Sequence, residues 1–149
     1  MKRLGMAVLL LLSTFALEAA PAGWKVVTDR KKTCQYSVPA DWTADTLVVG
    51  TAASADKKSS VVVKGNEQPL AQIKPLVQQM IPPDKTIEDS SKRYWYSYKH
   101  LANGSDLPGT NWYVAVSIPS GVCAAQISFK DPAGEAVAKQ IVDTIAPAK

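Results

Sequence analysis

The aromatic run "KRYWYSYKH" (residues 92–100), which holds the single histidine His100, is where chemistry in this chain would have to start. The run sets Tyr94, Trp95, Tyr96 and Tyr98 among Lys92, Arg93, Lys99 and His100. Hydrolysis of the Ser-His-Asp or Cys-His type needs a base beside its nucleophile. His100 follows Lys99, whose charge disfavours the protonated imidazole, and no GxSxG motif marks a nucleophile. The sequence therefore reads as non-enzymatic, with no catalytic residue assigned. Metal chemistry lacks a pattern too: Asp29, Asp41, Asp45 and the Glu88-Asp89 pair have neither EF-hand nor zinc-ligand spacing. The glycines of "ANGSDLPGT" (102–110) do not form a GxxxxGK[ST] phosphate loop. No metal and no cofactor is expected. A carboxylate pair for glycoside hydrolysis stays open, because such partners meet in space rather than in sequence.

On a strand, residues 92–100 divide by alternation. Tyr94, Tyr96 and Tyr98 form one row, suited to lie beneath a helix with each hydroxyl reaching an edge or a water. Arg93, Trp95, Ser97 and Lys99 take the other face. A tryptophan between two cations fits either a half-covered sheet face or a contact surface. Trp112 and Tyr113 open the next strand after a loop at 101–110, which would bring His100 and Trp112 to one end of the sheet. The candidate partner- or ligand-binding set is therefore Arg93, Trp95, Lys99, His100 and Trp112. Such a patch could seat a partner's side chain or stack sugar rings, the latter with a carboxylate such as Asp106. Packing of the same rings into an ordinary core is the alternative.

The elements that must position these residues follow from periodicity. Trp24–Thr28, Thr33–Val38, Thr46–Ala52 and Ser60–Lys64 read as strands, the last with consecutive valines at 61–63 that imply cover on both faces. Leu70, Ile73, Leu76, Val77 and Met80 then recur at helical spacing up to Pro82-Pro83, with Pro75 as the one residue against a regular helix. Strands resume at Lys85–Ser91, Lys92–Lys99, Asn111–Ile118 and Val122–Phe129, the last two joined by a short "PSG" turn. Asp131 as N-cap and Pro132 at the first position open a closing helix with a Val137, Ala138, Ile141, Val142, Ile145 stripe. The class is α+β: a mainly antiparallel sheet with one mid-chain and one C-terminal helix.

Composition gives an address. "MKRLGMAVLLLLSTFALEAAPAG" has the charge, apolar run and small residues of a secretory signal peptide, with cleavage expected after Ala22 and Ala19 as runner-up. Its apolar run is shorter than the about 20 residues a membrane span needs. Residues 1–22 are thus a leader and 23–149 a single domain, exported to the periplasm or beyond the cell. Without Lys2, Arg3 and Glu18 the chain keeps 15 basic and 12 acidic side chains, or +3. The basic clusters are small (Arg30-Lys31-Lys32, Lys57-Lys58, Lys92-Arg93). They fit either solvated turns or attraction to anionic lipid or glycan. Export disfavours nucleic acid as a partner. The cysteines, Cys34 and Cys123, share strand faces with apolar neighbours and are expected to pair in an oxidising compartment.

Two segments, "CQYSVPADW" (34–42) and "ISFKDPAGEAVAKQIVDTI" (127–145), together with the valine-rich strand leading into a mid-chain helix, resemble the PsbP-like fold family. That family includes an extrinsic subunit of photosystem II, a Ran-binding nuclear transport protein and many bacterial exported proteins. The resemblance covers most of residues 23–149. It implies an α/β/α sandwich and a binding or assembly role, and it carries over no catalytic motif. The expected function is an exported, non-enzymatic binding protein for a protein or envelope component. The alternative is a small-ligand or carbohydrate binder, or a carbohydrate-active enzyme, using the aromatic patch.

Overall fold

The computed structural model describes residues 20–149, so the expected leader at 1–22 lies outside the described residues except for its last three. The chain runs β1 (Lys25–Thr28), β2 (Cys34–Val38), β3 (Thr43–Ala44), β4 (Thr51–Ala53), β5 (Ser59–Asn66), α1 (Leu70–Met80), β6 (Lys85–Asp89), β7 (Arg93–His100), β8 (Asp106–Ile118), β9 (Gly121–Phe129), α2 (Ala133–Thr144) and β10 (Ala146–Pro147). The strands make a seven-stranded sheet, ordered β3-β4-β5-β9-β8-β7-β6, and a three-stranded sheet, ordered β1-β2-β10. Every pairing is antiparallel. The fold is α+β, as the periodicity predicts.

The large sheet has a core on each face. Leu70, Ile73, Val77 and Ile81 of α1 and its end pack on Tyr94, Tyr96, Tyr98, Tyr113, Ala115 and Val122. The tyrosine row is therefore core. Tyr96 donates its hydroxyl to the Ile81 carbonyl at 2.8 Å, and Gln78 donates to the Tyr94 hydroxyl at 2.7 Å. Burial pushes the Tyr96 and Tyr98 hydroxyls above the usual phenol range and Tyr113 up to about 12, which keeps them neutral. The opposite face meets α2 and the small sheet, with Tyr36, Val38, Val61, Val63, Trp95, Trp112, Val114, Ile127, Phe129 and Ile141 in one cluster.

Local chemistry explains the helices. α1 begins after Pro69, and Pro75 stands inside it on the exposed side. The carbonyl this leaves without a helical donor belongs to Ala71, itself exposed, so water can satisfy it. At the other end Ile81 donates to Val77 at 2.7 Å and Pro82-Pro83 forbids a further turn. α2 starts one residue later than predicted, with Asp131 accepting the Ala133 N–H at 3.0 Å. Its buried residues are Ala138, Ile141 and Val142, on the expected stripe.

Three expectations need correction, and one strand had no signal in the sequence. Thr46–Ala52 is not a strand: residues 45–50 form a turn and β4 holds only Thr51–Ala53. Asp45 accepts the N–H groups of Leu47 and Val48 at 2.8 and 3.0 Å, and this local competition defeats the strand propensity of the valines. The loop at 101–110 is shorter, because β8 already begins at Asp106 and pairs it with His100 across a register shift. Val62 is only half-buried, so β5 is fully covered on the Val61 and Val63 side alone. The short β10 pairs Ala146 with Gln35 and was invisible as a two-residue strand.

Cys34 and Cys123 form a disulfide with Cα atoms 5.7 Å apart, joining β2 of the small sheet to β9 of the large one. Both residues are fully buried. The bond closes 89 residues of sequence, which the chain-entropy account values at roughly 4–5 kcal/mol. The Cys34→Ala, Cys123→Ala double variant should therefore lose about 3–5 kcal/mol in urea unfolding. Equal midpoints for the variant and the oxidised protein would show that the cross-link adds nothing to packing between the sheets.

Candidate functional site

The two tryptophans of the aromatic face sit side by side because β7 pairs Ser97 with Trp112 and Trp95 with Val114. Both point to the α2 side of the sheet and meet edge to face with ring centroids 5.0 Å apart. Trp112 makes a second edge-to-face contact with Phe129 at 4.8 Å. Trp95 is 7% and Trp112 4% exposed. Of the two readings of Trp95 and Trp112, packing is the one seen: they are core rings that show only a margin. Too little of either ring is open to stack a sugar.

That margin nevertheless floors a groove of about 450 Å³ between the β6–β8 end of the sheet and α2. Lys85, Thr86 and Ile87 line it from β6, and Glu135 and Lys139 from α2, these two paired at 2.8 Å. Ser97 and Thr110 add hydroxyls. The Trp95 indole N–H is buried and has no acceptor among the described residues. A buried donor without a partner normally costs about 1–3 kcal/mol.

The other members of the set separate. Arg93 lies with its guanidinium 5.4 Å from the Trp95 ring centroid. Its nitrogens also hold Glu88 of β6 at 2.6–2.7 Å and Asp143 of α2 at 3.1 Å. Arg93 thus ties the edge strand to the helix and is not a free contact. Lys99 is exposed and pairs with Asp84 at 3.2 Å. His100 lies three residues past Ser97, about 10 Å further along the strand. There its Nδ1 meets Asp106 Oδ1 at 2.5 Å, with both side chains exposed. Lys99 and His100 therefore fall outside the groove. Asp106 serves His100, and the acid that shares the groove with the tryptophans is Glu135.

Glu135, Lys139, Lys85 and Ile87 were missed in the sequence. The i,i+4 pair of Glu135 and Lys139 is legible as a solvated helix face, but its approach to Trp112 depends on how α2 crosses the sheet. Among the described residues, no cluster of three or more His, Cys, Asp or Glu side chains could hold a metal ion. No helix among them is long and apolar enough to cross a membrane.

Comparison with solved structures places this arrangement. The solution structure of cyanobacterial PsbP (CyanoP) from Synechocystis sp. PCC 6803 is similar with a TM-score of 0.51, covering 92% of this chain and 98% of that chain at 11% identity. The chain has a PsbP-like fold. A family model described as a domain of unknown function (DUF8017) matches residues 17–68. That match ends just after β5 and includes none of the groove residues. No curated protein matches the sequence.

The geometry separates the predicted site residues by energy. Trp112→Ala should destabilise the fold by roughly 3–5 kcal/mol, as expected for a buried ring. Lys99→Ala and His100→Ala should each stay within about 0.5 kcal/mol of the parent. Guanidinium unfolding of the three variants checks this, and a neutral Trp112→Ala would contradict the burial.

Proposed function

We propose that the chain is an exported, non-enzymatic binding protein that meets a protein or envelope component at the groove floored by Trp95 and Trp112. The observation that carries this reading is the concave groove beside α2, where the margins of Trp95 and Trp112 meet Lys85, Glu135 and Lys139. Trp95 and Trp112 are the members of the predicted set that line it. The disulfide fits an oxidising compartment, which supports export. The PsbP-like fold supports a binding or assembly role by analogy of architecture.

A second reading, a small-ligand binder at the same place, is favoured by one feature: the site is concave and brings Glu135 beside both tryptophans. Two variants test the groove without emptying the core. Trp95→Phe removes the indole N–H and keeps a ring, and Ser97→Arg fills the groove. With folding checked by circular dichroism, both should recover at least about tenfold less partner from envelope extract than the parent protein, a difference of about 1.4 kcal/mol. Equal recovery by all three would remove the site from the groove. If the parent protein recovers nothing and a screened small molecule binds it but not Ser97→Arg, the second reading stands instead.

A further inference from the structure

The turn at 45–50 presents a different surface, on the other side of the large sheet's order from the groove. Leu47 is 82%, Val48 54% and Val49 38% exposed, three aliphatic side chains in succession. This is not a loose loop. Asp45 holds the N–H groups of Leu47 and Val48, and Thr51 donates to the Val48 carbonyl at 3.1 Å. The Gly50 carbonyl accepts from Val63 N–H and the Tyr36 hydroxyl, both at 3.0 Å. Gly50 itself has φ +95°, and an added Cβ would lie 2.8 Å from the Val63 carbonyl oxygen. The bonds fix the turn so that its apolar side chains face outward.

Facing this tip across a cleft of about 480 Å³ are Arg30, Lys31 and Lys64. Among the described residues none of the three is in an ion pair. The two nearby carboxylates are spoken for by backbone donors. Asp29 is buried and accepts from Thr33 and Cys34 at 2.7 and 2.9 Å and from Gly65 at 3.4 Å. Asp45 carries the turn, and those backbone bonds hold its carboxyl below the usual range. One wall of the cleft is therefore aliphatic and the other cationic.

We infer that this tip is a membrane-contact site that inserts Leu47 and Val48 into the surface of an anionic phospholipid bilayer while Arg30, Lys31 and Lys64 meet lipid phosphates. The complement of an aliphatic wall beside unpaired cations is an amphiphile with an anionic head. A bilayer supplies both signals at once, and peripheral attachment needs two of them. A protein contact is less well matched: the tip has no aromatic side chain, the kind that dominates protein hot spots. The inference is independent of the groove, since the two surfaces share no residue.

Co-sedimentation with vesicles tests it. The probes are phosphatidylcholine vesicles and vesicles of equal parts phosphatidylcholine and phosphatidylglycerol. The protein should bind the anionic vesicles, release from them as salt is raised, and leave the neutral ones. Leu47→Ser with Val48→Ser should lower the binding constant roughly tenfold. Arg30→Glu with Lys31→Glu should lower it at least about tenfold. The protein and its variants are prepared from Gly23 onward, as expected after cleavage of the leader, so its apolar run takes no part in binding. Absence of binding to anionic vesicles, or binding unchanged in either variant, overturns the proposal. So would loss of a protein partner, rather than of vesicles, in the tip variant.

Discussion

The pleat of β7 is the constraint from which the rest of the molecule is arranged. Successive side chains must leave opposite faces of a strand, so a run with rings at nearly every position needs cover on both sides. α1 covers Tyr94, Tyr96 and Tyr98, and α2 covers Trp95. A sheet with one wet face could not house this strand. The two helices and the small sheet are the answer to that demand, and the disulfide from β2 to β9 fastens the small sheet to the large one.

Cover on the α2 side is incomplete at the β6 edge, and the groove is the result. α2 buries Ala138, Ile141 and Val142 against the middle of the sheet, while its polar residues Glu135 and Lys139 lean over the outer strands. Arg93 bridges the remaining gap at one end through Glu88 and Asp143. Trp95 and Trp112 show their margins in between.

Patterns carried by alternation or by helical spacing were legible in the sequence. The tyrosine row, the α2 stripe and the inward faces of Cys34 and Cys123 all follow from one-dimensional periods that tertiary structure merely joins. Two kinds of information were not legible. Leu47, Val48 and Val49 have strand-forming chemistry, yet one carboxylate, Asp45, captures the backbone donors and turns the segment outward. The burial of Trp95 and Trp112 depends on where α2 crosses, a distance no residue pattern encodes. Lys99 and His100 looked joined to the tryptophans because strand position was legible, while their pairing with Asp84 and Asp106, outside the groove, was not.

On the proposed reading, partners meet the groove where Trp95 and Trp112 show their margins. The most direct measurement follows the indole N–H signals of Trp24, Trp42, Trp95 and Trp112 by NMR, in isotope-labelled protein titrated with envelope extract. The Trp95 and Trp112 signals should shift as the groove fills, while Trp24 and Trp42 stay in place. A titration that moves Trp24 or Trp42 and leaves Trp95 and Trp112 unchanged would contradict this reading.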